Sequence, residues 1–367
     1  MYSNESILKE CGKTPMKTVI KNVRVLGELT DIAVSDGKIL SVGKLDESGI
    51  DMQGLKAYPG LIDVHSHGAV GVDTMDGNLH EVAKYELAHG VTTYYPTTLT
   101  VSEEDIIAAT EQKTDFPDGA NIPGFHIEGP FINVKRKGAQ NEKFIVPPSI
   151  DVYKKYKNAK LITLAPEVEG AIDFIRECDA VVCIGHSDAD YETAAEAFSA
   201  GAQCITHTFN AMSGLHHRDP SIIGAGADCG AYAQIISDGF HLHPSVVRLA
   251  VKMFGKDKVV LISDSMLGTS AQDGEYIFGG LPTTVTDGRA YTDYGAIAGS
   301  TTNLFDCVRC AISFGIPEED AVKMASENPA RLMKLNKGVI ASGYDADIIF
   351  VDDDFNLRKV MVRGQMQ

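Results

Sequence analysis

Two histidines close an apolar run in Leu61-Ile62-Asp63-Val64-His65-Ser66-His67-Gly68. In a β-strand alternate side chains share a face, so His65 and His67 project together. Two imidazoles aimed at one point are half of a metal site. A lone His-x-His is a weak signal, and a strand pair with one histidine buried and one solvated is the plain alternative. The pattern gains weight farther along the chain. Glu128 in His126-Ile127-Glu128, His186 in Gly185-His186-Ser187-Asp188, His207 in Thr206-His207-Thr208, His241 in Asp238-Gly239-Phe240-His241 and Asp264 in Ser263-Asp264-Ser265 each follow an apolar run. A buried ring of such groups carries a desolvation and repulsion cost that a divalent cation removes. The donors are N and O only, which suits Zn2+, Fe2+, Mn2+ or Co2+ and argues against an iron–sulfur cluster. A cation there makes a water acidic near neutrality. Asp264 is the candidate catalytic base, taking that proton and passing it to a leaving amine; a helix N-cap is its plain alternative.

These residues need elements that bring them to one place. Eight strand-like runs alternate with amphipathic stretches: GLIDVHSH, VTTYYPTT, IPGFHIEG, KLITLAPE, AVVCIGHS, QCITHTFNA, AQIISDGFH and VVLISDSM. Segments such as NLHEVAKYELAHG and HPSVVRLAVKMFG lie between them, and several open on Asp, Ser or Asn and close on Gly, as helix caps do. This alternation predicts an α/β fold with parallel strands, first as a (β/α)8 TIM-like barrel over 59–336. In such a barrel catalytic groups gather at the C-terminal ends of the strands, where the His, Glu and Asp residues fall. An open doubly wound sheet is the second choice, and no G-x-G-x-x-G supports it. Strand-like patterning at both ends, 1–58 with an Asp36-Gly37 hairpin turn and 337–367, predicts one small β-sandwich domain built from the two termini.

The chain has 367 residues, 33 Lys and Arg against 50 Asp and Glu, and a formal charge of −17. That balance argues against nucleic acid or an anionic membrane as a partner and requires a local basic pocket for any anionic substrate. No apolar run reaches the length of a membrane span, and MYSNESILKECGK lacks the basic-then-apolar order of a signal peptide. The cytoplasm is the expected location. Cys178, Cys183, Cys204 and Cys229 read as small residues in or near apolar segments. Cys307 and Cys310 form a C-x-x-C inside a helical stretch, with no second pair to complete a zinc site, and read as two free thiols.

The motifs PGLIDVHSHG, GFHIEGPFI, GHSDA, HTFNAMSGLHHRDP, DGFHLHP and ISDSM, in that order over nearly the whole chain, resemble the N-acetylglucosamine-6-phosphate deacetylases of the amidohydrolase superfamily. The terminal GYDADIIFVDDD resembles the small β domain of that superfamily. The resemblance implies hydrolysis of the acetamide of a 6-phosphorylated amino sugar. It implies Glu128, His186 and His207 as principal metal ligands, and one or two divalent metals per subunit. Because His65 and His67 are present, a second site with Glu128 bridging is available; the carbamylated lysine of other branches has no counterpart. On the substrate side it implies Asn210, Ala211 and His241. It also implies Arg218 as a phosphate-binding fork that reaches the neighbouring active site of a homodimer, with His216 and His217 as added donors. Where some members carry a carbonyl-polarising histidine, this chain has Gln140, which donates a hydrogen bond but holds no proton charge. A second metal would supply the missing electrophile. The same chemistry on the galactosamine epimer, a dihydroorotase-like cyclic amidase, and an inactive sugar-phosphate-binding regulator are the rival readings. The HTFNAM–Arg218 segment argues against the second and the intact ligand set against the third.

Overall fold

The computed structural model describes residues 17–367. The MYSNESILKECGK reading therefore lies outside the described residues. The chain is mixed α/β and divides into two compact units: residues up to Tyr58 with Val339–Gln367, and Pro59–Gly338.

In the smaller unit strands from both chain ends share one eight-stranded sheet, including Thr18–Val25, Glu28–Ser35 and Lys38–Val42 from the first end and Ile348–Val351 and Leu357–Val362 from the last. Ile20, Ile32, Val34, Ile348, Phe350 and Met361 form its buried core. The turn between Glu28–Ser35 and Lys38–Val42 is Asp36-Gly37, with φ of 51° and 73°. Two consecutive left-handed residues make the turn whose twist matches the flanking strands, which explains a short polar residue followed by glycine.

The larger unit carries the strand–helix alternation. Its parallel strands are β1 (Leu61–Ser66), β2 (Val91–Pro96), β3 (Phe125–Glu128), β4 (Ala159–Leu164), β5 (Val181–Ile184), β6 (Cys204–Ile205), β7 (Tyr232–Ile236) and β8 (Val259–Ile262). β1 pairs with β2, and β3 to β8 form one six-stranded parallel sheet in chain order. Parallel bridges join Thr97 to His126, between the ends of β2 and β3, and Ser66 to Ser265, between the end of β1 and the segment after β8. Every residue of β1, β2, β3 and β8 is buried, as expected of parallel strands covered on both faces. Ile62, Val64, Tyr95, Leu161, Cys183, Cys204, Val260 and Ile262 pack into one cluster. Helices such as Leu79–Ala88, Tyr191–Ala200 and Pro244–Phe254 lie between strands, the second capped by Asp190 and the third opening on Pro244. Cys307 and Cys310 stand one turn apart on the helix Leu304–Ser313, the first buried and both free.

One element is absent from the sequence reading. After β8 a three-stranded antiparallel sheet, Gly274–Phe278, Leu281–Thr286 and Arg289–Thr292, interrupts the alternation. Gly279-Gly280 and Asp287-Gly288 make its turns, a hairpin signal available from the sequence. No helix among the described residues is long and apolar enough to cross a membrane.

Candidate metal centre and active site

The strand ends bring four of the singled-out histidines onto one carboxylate, with Asp264 beside two of them. His65 is the fifth residue of β1, and His67 follows that strand's last residue; Glu128 ends β3. His186 and His207 stand two residues past β5 and β6, and Asp264 two past β8. Glu128 Oε1 lies 3.2 Å from His65 Nε2, 3.3 Å from His186 Nε2 and 3.1 Å from His207 Nε2, while its Oε2 lies 3.2 Å from His67 Nε2. Asp264 Oδ1 is 3.3 Å and 3.4 Å from the Nε2 atoms of His65 and His67. Two groups of three could each hold a metal, His65–His67–Glu128 and Glu128–His186–His207, and Glu128 belongs to both.

The opposite ring nitrogens show why a cation fits. Each Nδ1 of three histidines meets an oxygen acceptor: His65 the side chain of Gln234 at 3.1 Å, His67 the carbonyl of Thr97 at 3.1 Å, and His186 the carbonyl of Arg136 at 2.9 Å. With Nδ1 donating, each Nε2 carries a lone pair. The Nε2 atoms crowd one another: those of His65 and His67 are 3.2 Å apart, and those of His186 and His207 are 3.0 Å apart. Basic nitrogens at that separation around a carboxylate repel unless positive charge lies among them. The local field agrees. Burial by itself lowers the pKa of His67, yet the adjoining Asp264 and Glu128 carboxylates push it up to about 10. Burial raises that of Asp264, yet His65, His67 and His207 hold it below the ordinary carboxylate range.

His126, beside Glu128, is a different kind of histidine. Its Nδ1 faces the carbonyl of Val64 at 2.9 Å and its Nε2 the hydroxyl of Thr163 at 2.8 Å. Burial pushes its pKa far down, so it stays neutral and packs edge-on against His65.

A cavity of about 230 Å³ opens over this cluster. Gln140, Asn210, Ala211 and His241 line it, together with His67, Glu128, His186, His207 and Asp264. Gln140 is turned towards the centre: its Nε2 donates to Glu128 Oε2 at 2.6 Å, and its Oε1 accepts from Thr100 N at 2.7 Å. One of its two amide hydrogens thus steadies Glu128. His241 Nδ1 meets Asp238 Oδ2 at 2.7 Å. Burial opposes its charge, but the hydrogen bond and charge of Asp238 outweigh it and raise its pKa. Arg218 and His217 stand apart. Both are exposed, outside the cavity lining, with Arg218 Nη1 and His217 Nε2 at 2.6 Å. The rings of His216 and His217 lie 4.1 Å apart in the same exposed turn.

Several wall residues escaped the sequence reading. Phe278, from the added antiparallel sheet, sets its ring edge-on to His67 at 5.4 Å. Leu99, Ala296, Ile297 and Gly299 complete the apolar side. Their types carry no chemical signal; only the turn dipeptides marked the region.

The Amidohydrolase family model matches residues 57–366. The chain is 35% identical to an N-acetylglucosamine-6-phosphate deacetylase of Lysinibacillus sphaericus, over 96% of this chain and 98% of the relative. It is 31% identical to an N-acetylgalactosamine-6-phosphate deacetylase of Escherichia coli O157:H7, over 91% and 94%. The crystal structure of the N-acetylglucosamine-6-phosphate deacetylase of Thermotoga maritima superposes with a TM-score of 0.88 at 31% identity, covering 95% of this chain and 99% of that one.

Proposed function

The chain belongs to the amidohydrolase family, among its N-acetylglucosamine-6-phosphate deacetylases, and from that membership we propose that it hydrolyses N-acetylglucosamine 6-phosphate to glucosamine 6-phosphate and acetate. The observation that carries this reading is the convergence of four imidazole Nε2 atoms on the two oxygens of Glu128, beneath a cavity walled by Asn210, Ala211 and His241.

In this reading residues 59–336 form a (β/α)8 barrel that the Thr97–His126 and Ser66–Ser265 bridges help to close, and the terminal pieces 1–58 and 337–367 form the β-sandwich domain. Glu128, His186 and His207 would hold one divalent metal, Zn2+, Fe2+, Mn2+ or Co2+, and His65 and His67 with Glu128 could hold a second. A bound cation supplies Lewis acidity to water and to the amide carbonyl. Asp264 accepts the proton of the attacking water at its carboxylate and returns it to the amine nitrogen as the C–N bond breaks. Products are the amine, which ends protonated as an ammonium group, and the acetate anion, so both protons of the one water consumed are placed and charge balances. Gln140 keeps Glu128 oriented and has a second amide hydrogen for the substrate. Asn210, Ala211 and the Asp238-supported His241 hold the sugar. Arg218 and His217, exposed in this chain, bind the 6-phosphate in the neighbouring active site of a homodimer. The protein works in the cytoplasm.

The galactosamine epimer is a second reading, motivated by the relative from E. coli O157:H7. Acetate release from both phosphorylated epimers and both unphosphorylated sugars, with metal content measured on the same sample, decides between them. No release from either phosphorylated sugar by metal-loaded protein overturns the proposal.

A further inference from the structure

Gln234 lies in the middle of β7 with no exposed surface and is charged with no role so far. A primary amide sealed in a core is costly unless its polar atoms are satisfied. Its Oε1 faces two donors, His65 Nδ1 at 3.1 Å and the main-chain N of His207 at 3.4 Å. Its Nε2 faces only Cys183 Sγ, at 3.9 Å. Flipping the amide would set its NH2 against the His207 N–H, so the oxygen belongs on the histidine side.

One oxygen therefore touches a histidine from each candidate metal group. For His65 the contact selects the tautomer: Nδ1 carries the hydrogen, and the Nε2 lone pair points at Glu128. For His207 the contact is to the backbone. The Nδ1 of His207 has no hydrogen-bond partner, so its ring is not aimed from behind as the other three are. The main chain sets its direction, at a φ of 28° that few residues adopt. Gln234 accepts from its N–H while Asn210 donates both its main-chain and side-chain N–H to its carbonyl.

We propose that Gln234 is a positioning residue that orients one histidine of each metal group through a single amide oxygen, and so ties the affinities of the two sites together. Histidine ligands are generally held by an acceptor behind the ring, and losing that acceptor weakens metal binding by roughly 10–100-fold. The inference rests on the metallohydrolase reading.

The test is metal affinity, measured by chelator competition with Zn2+ on the full chain, in the wild type, Gln234→Leu, Gln234→Glu and His65→Ala. The leucine variant removes the acceptor, and the glutamate variant keeps an oxygen in its place. We expect the leucine variant to bind Zn2+ about 10–100-fold more weakly and the glutamate variant to recover most of that loss. We further expect the leucine effect to shrink in a His65→Ala background, because the two changes remove one contact. Where the leucine variant fails to fold by near-UV circular dichroism, Gln234→Met replaces it. A folded leucine or methionine variant with wild-type affinity overturns the inference, as does a glutamate variant as weak as leucine or full additivity with His65→Ala. Wild-type protein that binds no metal refutes the metallohydrolase reading instead, and the two failures are thereby told apart.

Discussion

Among the residues of the site, several hold backbones that side chains ordinarily avoid. His186, His207, Ala211 and Asp264 have φ of 48°, 28°, 50° and 50°. Such conformations cost of order 1–3 kcal/mol each and persist where surrounding structure over-determines them. Here the hydrogen bonds from Asp264 N to the His65 carbonyl and from Ser300 N to the Asp264 carbonyl clamp the loop after β8. Strain spent this way aims a short carboxylate at two imidazoles. On the proposed chemistry, Asp264→Asn keeps the volume and removes the proton acceptor. Turnover should fall by about 10²–10⁴-fold while metal content by elemental analysis stays near that of the wild type. Undiminished turnover would remove Asp264 from the mechanism. The contrast between His126 and His65 is also a matter of neighbours. Both end up fully buried, but one finds a carbonyl and a hydroxyl for its two nitrogens and the other a carboxylate.

At the scale of elements, the loop carrying Asp264 is bounded by residues with no chemistry of their own. Gly299 has a φ of 69°, and a Cβ there would sit 3.0 Å from the Asp264 carbonyl oxygen. Gly299→Ala should displace that carbonyl, and a shift on the order of 1 Å at a catalytic group costs up to about 10²-fold in rate. Steady-state kinetics should show the loss in kcat with metal content retained; equal kcat would mean that the loop absorbs the methyl group. The eight parallel strands were legible because each is a short apolar run closed by a polar residue, with amphipathic stretches between. The Gly274–Thr292 sheet was not, although its turns were visible. Its strands are short and half exposed, so their apolar pattern is weak. Phe278 gains meaning only from packing against His67.

Across the molecule, charge is buried as well as displayed. Glu86 is fully buried and donates nothing to the centre directly; its Oε1 accepts from Ser66 Oγ at 3.1 Å, and its Oε2 has no partner. Burial, with the Asp63 carboxylate adding to it, pushes its pKa up from 4.5 to about 8. The folded chain thus keeps a proton that the unfolded chain releases near 4.5. Between those values the folded state binds more protons, so Glu86 makes stability fall as pH rises. In Glu86→Gln that component disappears: between pH 5.5 and pH 8, the melting temperature should fall less than in the wild type, and an equal or steeper fall refutes the assignment. Metal removal acts on the whole fold too. A ligand bound only by the folded state stabilises it by about 2.7–4 kcal/mol at 10²–10³ times its Kd. Stripping metal with a chelator should therefore lower the melting temperature measurably, and adding Zn2+ or Mn2+ should restore it. No change on stripping would show that the His–Glu cluster holds no metal in the folded protein.

What the sequence alone determined was the chemistry and the order of the parts. Residue types at the strand ends name the donors, and the 2-residue and 3.6-residue periods name the elements, because both are local properties of the chain. It did not reveal how donors 58 and 79 residues from Glu128 reach the same carboxylate oxygen. Nor did it reveal that Gln140 would grip Glu128, or that Gln234 would stand behind two histidines. Glutamine has no distinctive spacing or titration to betray it, and the left-handed turns at His186, His207 and Asp264 are imposed by packing that no local preference favours. The tertiary structure decided which nitrogen of each ring faces the centre. For His65, His67 and His186 that choice depends on the acceptor behind the ring, which comes from another strand or loop; for His207 it is left to the main chain.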